Sequence, residues 1–519
     1  MNVFQNENLK KVVFILALIA LGFGAFLVGK LWAQRLSNLR LSLERFSYVL
    51  NLIINEYVEE VDNDKLLKQA IKGMLEALDP YSNYLEPEEF SELKTKLEAQ
   101  FGGIGIYIGI RDNYPAVISP IEGTPAYRAG LRAGDKIIKI EDKTTENMTI
   151  QEAMKLLRGT PGTKVNITCQ REGVSEPLNF SIVRDTIRIK AVPYSGVVAP
   201  EIGYIRLADF SKVAALEVGQ ALDSLFGKLG VKKLIFDLRS NPGGYLQEGY
   251  EVTDLFLSKG KTVVVAQGRK PETRREFVAT ERGRDGDFPI VVLVDRGSAS
   301  ASEIVAGALQ DWERALILGD TTFGKGSVQT IHPVDENNAI KLTTAYWYTP
   351  SGRCINRASK LKVVKEDTAQ KKVPQKYYTL GTRKRELYGQ GGIAPDVYLP
   401  YEQASAFEAK LINQGVFFDF AVRYVAYHKT IAPDFRVPDE ALNEFKEFLK
   451  TKKIDFTEAA FDSSKEFVRR ELTREIHGKV FGINGEYRIR LQNDPQVQRA
   501  IKLLLAAKNT ADLFKNLSN

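Results

Sequence analysis

Residues 297–304 read GSASASEI and residues 319–327 read GDTTFGKGS, which places a run of alternate serines 25 residues or so before a glycine-flanked lysine. Two chemistries could use such residues. A phosphate loop needs G-x-x-x-x-G-K-[ST] opening a helix. Gly319, Gly324 and Lys325 fit, but Gly326 stands where the magnesium-binding hydroxyl belongs. The following stretch, SVQTIHPVDENNAIKLTTAYWYT, has a strand-like pattern interrupted by Pro333, so no helix opens there. The other chemistry is acyl transfer, with a serine nucleophile and a lysine as its base.

A buried lysine can act as a base because desolvation disfavours the ammonium and moves the pKa from about 10.4 towards neutrality. Lys325, between two glycines, sits where backbone can pack closely around it. The alternative is a lysine on a surface loop. The serines follow the apolar strand FPIVVLVD and precede a helical pattern that begins near Ala301. A strand–turn–helix of this kind exposes a serine next to helix amides that can stabilise an oxyanion. Ser300 and Glu303 also form S-x-x-E, the signature of a capping box, so local pattern leaves nucleophile and helix cap as equal readings. Spacing alone does not choose among Ser298, Ser300 and Ser302. His332 is the one histidine of this central region and would be the base of a rival, His-dependent hydrolase.

Two further glycine clusters stand out. LIFDLRSNPGGYLQEGY ends a buried strand and turns at 241–244, where backbone N–H groups can face an anion. An ordinary strand-to-helix turn is the plain alternative. FGGIGI (101–106) does not have dinucleotide-binding spacing and follows a helix rather than a strand.

The elements that must position these residues are legible as periodicity. Residues 41–100 carry apolar residues at helical spacing, with a break at Asp79-Pro80. Residues 101–189 hold short β-rich runs between turns and one helical stretch, TIQEAMKLL. Residues 191–400 alternate long apolar strands with helices, which predicts an α/β core with buried strands. Residues 401–519 read as amphipathic helix, and their acidic and basic side chains nearly cancel.

The whole chain has 519 residues, 44% of them apolar and 26% charged, a globular balance that predicts three or four domains. A net charge of +7 over this length makes no case for nucleic-acid binding. Two distant cysteines and three scattered histidines predict neither a disulfide framework nor a metal site. Residues 12–29 are uncharged and apolar, preceded by Lys10-Lys11 and followed by Lys30 and Trp32. The run is longer than a signal-peptide core and lacks a small-x-small cleavage site, so it reads as an uncleaved anchor over 12–32. The lysines favour a cytoplasmic 1–11, which puts the bulk of the chain outside the cytoplasm, in the periplasm of a cell with an inner membrane.

In order along the chain stand LDPYSNYL (78–85), FGGIGI (101–106), AGLRAGD (129–135), DLRSNPGG (237–244), GSASASEI (297–304), FGKGSVQ (323–329), YTPSGR (348–353) and GGIAPDV (391–397). This ensemble resembles the carboxy-terminal processing peptidases, the tail-specific proteases with a Ser-Lys dyad, over about 46–400. The resemblance implies that Ser300 is the nucleophile, Lys325 the general base, and Gln329 the residue that orients the lysine. It implies an oxyanion site made by the backbone N–H of Ala301 and of Gly243 or Gly244, with Gly243 preferred. It further implies that 101–189 is a PDZ domain in which the amides of Gly103, Ile104, Gly105 and Ile106 bind a substrate's terminal carboxylate, the glycines admitting the peptide backbone.

The architecture expected is therefore an α/β protease core (190–400) plus a β-rich PDZ domain. A transmembrane helix, an N-terminal helical region (36–100) and a C-terminal helical extension (401–519) complete it. For 401–519 a lid, a homo-oligomer surface and an adaptor platform are all open readings. The expected partners are proteins or peptides with free C-termini, with no metal, nucleotide or other cofactor. A PDZ scaffold with an inactive protease-like core is the alternative function.

Overall fold

A computed structural model describes residues 14, 20–21, 38–280, 287–357, 376–389, 391–428 and 430–515. It falls into two compact units, Met1–Leu78 and Asp79–Asn519. In the first, residues 38–56 form α1 and Asn63–Glu76 form α2, whose N-cap Asp62 accepts the Lys65 N–H. No helix among the described residues is long and apolar enough to cross a membrane. The segment expected to be an anchor lies outside them, except for Phe14, Ala20 and Leu21.

The second unit begins with β1 (Asn83–Leu85), α3 (Pro87–Glu98) and β2 (Gln100–Gly103). A small domain follows: β3 (Ile106–Arg111), β4 (Tyr114–Pro120), α4 (Pro125–Arg128), β5 (Lys136–Ile140), β6 (Lys143–Thr144), α5 (Ile150–Leu157), β7 (Lys164–Gln170) and β8 (Leu178–Val183). Its sheet runs β3-β4-β5-β7-β8, so β3 is an edge strand, and its core gathers Val117, Ile137, Ala153, Leu157 and Ile167. The strand β9 (Asp185–Arg188) returns to pair with β2, closing the domain at its base.

The α/β core comprises β10 (Tyr194–Ala199), β11 (Ile202–Arg206), α6 (Ala214–Leu222), β12 (Lys233–Asp237), α7 (Leu246–Asp254), β13 (Thr262–Gly268), β14 (Arg275–Val278), β15 (Ile290–Val294), α8 (Ala301–Asp311), β16 (Leu316–Gly319), β17 (Ser327–Pro333) and β18 (Ala339–Tyr348). Beyond it lie β19 (Lys376–Tyr378), β20 (Glu386–Tyr388) and β21 (Val397–Tyr398). Strands β11, β12, β15, β16 and β21 are parallel neighbours, with β10 antiparallel at one edge. Side chains alternate across the sheet. Leu234, Phe236, Ile290, Val292 and Val294 pack against the face that carries α6, α7 and α8, while Ile235, Val291 and Leu293 face the opposite way. Burial on both faces explains the unbroken apolar runs KLIFD and IVVLV. A second, antiparallel sheet, β1-β18-β13-β14 with β17 on β18, stands beside it.

The C-terminal stretch contains α9 (Ala406–Asn413), α10 (Val416–Tyr427), α11 (Asp439–Thr451), α12 (Glu458–Ser463), α13 (Lys465–Gln492), α14 (Pro495–Ala506) and α15 (Thr510–Leu513). It serves two cores rather than one. Phe417, Phe420, Phe445, Phe461 and Leu472 form a helical core of their own, whereas Tyr487, Leu491, Val497 and Leu504 cover the second face of the parallel sheet. The last helices thus belong to the α/β layer structure, which residue 400 does not bound.

Candidate active site

The site lies where the parallel strands end, the usual place for chemistry in an open α/β sheet. Two turns dock there, 238–244 after β12 and 295–302 after β15. Asp295 Oδ1 accepts the Ser240 N–H at 2.7 Å, the Ala299 N–H donates to the Asn241 carbonyl at 3.0 Å, and the Ser302 hydroxyl donates to that same carbonyl at 2.9 Å. Gly243, at φ +90°, packs so tightly on the second turn that a Cβ there would lie 2.8 Å from Ser300 Cβ and 2.9 Å from Ala301 N. Only glycine permits this approach.

The structure separates the three serines. Ser298 Oγ donates to the Leu238 carbonyl (2.8 Å) and accepts the Asp295 N–H (3.0 Å), and Ser302 Oγ is tied to Asn241, so both are buried parts of the scaffold. Ser300 is half-buried and lies in the left-handed half of backbone space, with φ 55° and ψ −113°. Such a conformation costs about 1–3 kcal/mol and persists only where the surroundings impose it. Its hydroxyl approaches the Glu303 N–H without making a capping hydrogen bond. The capping box is therefore present chiefly through Glu303, whose Oε2 accepts the Ser300 N–H at 2.8 Å.

Glu303 does more than cap. It is fully buried in α8, whose eleven residues are all buried, and it reaches across to the lysine loop. Its Oε2 also accepts the Lys325 N–H at 2.9 Å, while Oε1 accepts the Gly324 N–H at 2.7 Å and the Thr322 hydroxyl at 2.6 Å. One oxygen atom therefore holds the backbones of Ser300 and Lys325 together. Burial pushes the Glu303 carboxyl up from its ordinary range, and these four donors pull against that. The sequence showed this residue only as a cap. The further signal was an acidic residue inside ASEIVAGAL, a helix otherwise fit for a core.

Lys325 follows a turn in which Gly324 has φ +89°. A Cβ on Gly324 or Gly326 would strike Arg357, Gly391 or Asn356, so the glycines let segments 355–357 and 391–392 close over the loop. Burial, reinforced by the charge of Lys341, brings Lys325 down to about 8, with Glu303 and Asp79 acting in the opposite sense. Its Nζ lies 4.9 Å from the centre of the Tyr81 ring. Among the described residues it makes no hydrogen bond or ion pair, and none joins it to Ser300 Oγ. The chain then enters β17 and not a helix, which removes the phosphate-loop reading. His332 lies farther along that strand and is exposed.

The remaining candidates divide. The N–H of Ala301, first residue of α8, has no acceptor among the described residues. Neither does that of Gly244. The Gly243 N–H is already engaged by Asn241 Oδ1 at 2.9 Å. Gln329 is not brought onto Lys325: beside a β-bulge, its Nε2 donates to Ser327 Oγ (2.9 Å) and Thr343 Oγ1 (3.2 Å).

In the small domain, Gly103 belongs to the β2–β9 ribbon opposite Asp185, and its Cβ direction leads to the Phe101 ring. The expectation that it opens space for a peptide is thus corrected. Gly102 and Gly105 likewise serve the protein's own packing, against the Gly159 carbonyl and Thr124. Ile104 is buried, 2% exposed, so only its backbone can meet a ligand. Its carbonyl accepts the Ala126 N–H and the Gly105 carbonyl accepts the Ile121 N–H, both at 2.9 Å. The N–H groups of Ile104 and Gly105 have no acceptor among the described residues. Because Ile121 bonds to Gly105, Ile106 and Pro120 form a non-hydrogen-bonded pair, and the Ile106 N–H points to the outer edge of β3.

A third group braces the site from behind. Arg239 is buried and donates to Asp237 (2.9 Å), to Asp494 (2.8 Å) and to Gln496 (2.9 Å). Burial acts to raise the Asp237 carboxyl, but Arg239 and Arg206 outweigh it and hold it well below the carboxylate range. The N-cap of α14 is thereby fastened to the strand that leads into the 241–244 turn.

Four family models match the chain. Peptidase family S41 matches residues 201–370, a PDZ domain 117–171, the N-terminal domain of the activating protease CtpB 32–89, and the C-terminal helical domain of a probable PDZ-protease 407–460. A carboxy-terminal-processing protease of Bartonella bacilliformis is 40% identical over 387 residues, covering 73% of this chain and 88% of its own. The carboxy-terminal processing protease CtpA of Bacillus subtilis is 37% identical over 350 residues, 67% of this chain and 74% of its own. A solved photosystem II D1 C-terminal processing protease is 28% identical and covers 67% of this chain and 85% of its own, with a TM-score of 0.37.

Proposed function

The chain belongs to the carboxy-terminal processing proteases of peptidase family S41, and we propose that Ser300 is its nucleophile and Lys325 its general base. It is a serine-type peptidase that carries a PDZ domain. The observation that carries the dyad is the single Glu303 oxygen that accepts the N–H of both residues. The neutral Lys325 amine takes the Ser300 proton as Oγ attacks the substrate carbonyl, and the ammonium then gives that proton to the leaving amine. Water, deprotonated by the same lysine, releases the acyl group. The oxyanion forms against the Ala301 N–H and an amide of the 241–244 turn: Gly243 lies beside Ser300 but is engaged by Asn241, whereas Gly244 is unengaged. Gln329 acts on Lys325 only after its amide leaves Ser327 and Thr343. A fluorophosphonate probe on the full chain tests the assignment. Label should sit on Ser300 and form slowly in Lys325→Ala; label retained by Ser300→Ala would sink it.

Substrate selection is proposed to begin at the edge of β3, where a peptide adds as a strand and the amides of Ile104, Gly105 and Ile106 bind its terminal carboxylate. Residues 12–32 are proposed as the anchor that leaves the catalytic part outside the cytoplasm, on the strength of the uncharged run 12–29 and its flanking lysines. Release of the full chain from membranes by alkaline carbonate, without detergent, would contradict this.

A further inference from the structure

We propose that Tyr81 is a positioning residue for Lys325: its ring seats the protonated amine and so sets the pH at which the amine becomes free to act on Ser300. This rests on the reading of Lys325 as the base. The face of an aromatic ring attracts an ammonium and has little hold on a neutral amine. Lys325 Nζ lies over that ring, 4.9 Å from its centre, and makes no hydrogen bond to Ser300. Protonation state therefore decides where the side chain rests. The ammonium stays on Tyr81, and the neutral amine is released towards the Ser300 hydroxyl.

The ring is held for such a task. Asp79 accepts the N–H of Tyr81 at 2.7 Å, and the N–H and hydroxyl of Ser82 at 2.9 Å each. Ser82, 1% exposed, accepts the Thr343 N–H of β18 at 3.1 Å. The next residues form β1, in register on the same strand with Asn83 opposite Lys341. Thr343 also receives the Gln329 amide, so the strand pair that carries Gln329 fixes the Tyr81 turn as well. The charged groups around the pair come from four places: Asp79 on the turn itself, Glu303 from α8, Lys341 from β18, and Arg357 beside the lysine loop. Burial, Glu303 and Asp79 all raise the Tyr81 phenol. The amine thus faces an uncharged ring and not a phenolate counter-ion.

The test is the pH profile of kcat/KM in the full chain. Tyr81→Leu fills similar space without a π face, so the ammonium loses support and the alkaline limb moves to lower pH, on the order of half a unit. Tyr81→Phe, which keeps the face, should bring the limb back to its native position. Should the leucine variant misfold, ring-fluorinated phenylalanines at position 81 keep the shape while weakening the face, and the limb should fall stepwise with fluorine number. A limb that ignores Tyr81→Leu, or that stands equally for phenylalanine and its difluoro form, overturns the proposal. Lys325→Met is measured alongside. If it keeps the native limb, the lysine-base reading fails whatever Tyr81 does; if it is inactive while the limb ignores the ring, only the role of Tyr81 fails.

Discussion

Two places in this protein leave backbone N–H groups without an acceptor among the described residues, and they are built differently. Around Ser300, buried side chains fix the backbone: Glu303 gathers four donors, and Asn241 holds the Gly243 N–H and the Leu207 carbonyl while its own carbonyl holds Ala299 and Ser302. At residues 104–106 no charged side chain among the described residues hydrogen-bonds to the loop backbone. Three hydrogen bonds to the Ile104 and Gly105 carbonyls, from the Ala126 and Ile121 N–H groups and the Thr124 hydroxyl, and the buried Ile104 side chain hold the loop, and its N–H groups are left to solvent or ligand. The first site must keep a non-glycine residue at positive φ, a conformation the backbone disfavours, and the second need only offer donors. Damage at the first should therefore appear in turnover, and damage at the second in recognition.

The largest effect expected is at Ser300. Ser300→Ala should lose at least about a thousandfold in kcat/KM, and Lys325→Ala together with it should lose little more, because catalytic partners are not additive. Ser298→Ala and Ser302→Ala should instead lower the unfolding midpoint while turnover survives, since their hydroxyls bond to the scaffold. Inert Ser302→Ala with active Ser300→Ala would move the nucleophile and break the contrast. Next in size is Glu303→Ala, which strips the acceptor from three N–H groups and a hydroxyl in a closed core. A loss of about 3 kcal/mol or more in urea unfolding is expected. A variant of native stability would show that the two loops are held by something other than this carboxylate.

Much of this contrast was legible in the chain. The apolar strand runs alternating with helices point to an α/β core with buried strands, and Pro333 with a β-like tail after Lys325 points to a strand there, which is β17. What was hidden depends on contacts between distant positions. S-x-x-E showed Glu303 bonding to Ser300, three residues away, but nothing local shows the same carboxylate meeting Gly324 and Lys325. An amphipathic helix does not reveal which surface it covers, so α14 read as part of a separate extension although it seals the sheet and ties Asp494 to Arg239. Glycine is also ambiguous in sequence: Gly103 looked like room for a ligand, and its Cβ direction is taken by Phe101.

At the small domain the expected effect is a recognition cost. Amidating the C-terminus of a long substrate removes a charge-assisted contact and should cost about 1.5–3 kcal/mol, read as a rise in KM of roughly ten- to a hundredfold with kcat kept. Short peptides held by the cleft alone should show no difference. Equal kinetics for free and amidated long substrates would remove the 104–106 loop from selection and leave the catalytic cleft to choose.

The smallest effect expected uses pH to separate the two sites. A terminal carboxylate, with pKa near 3.5, is fully ionised around neutrality, so the penalty for amidation should not vary between about pH 6.5 and 9. Turnover should vary over that same range. With Lys325 brought down to about 8, the amine is protonated below that pH, so the rate should climb roughly tenfold per unit at first and flatten above it. Lys341 sharpens the test, because its charge helps to depress Lys325. Lys341→Met removes the like charge, which stabilises the Lys325 ammonium and should carry the limb upward by a few tenths of a unit, less at high salt. The direction is opposite to that expected for Tyr81→Leu, and the amidation penalty should stay where it was. A limb that stayed in place in Lys341→Met would mean that burial, and not the Lys341 charge, governs Lys325. An amidation penalty that followed the limb would mean that the two sites are not independent.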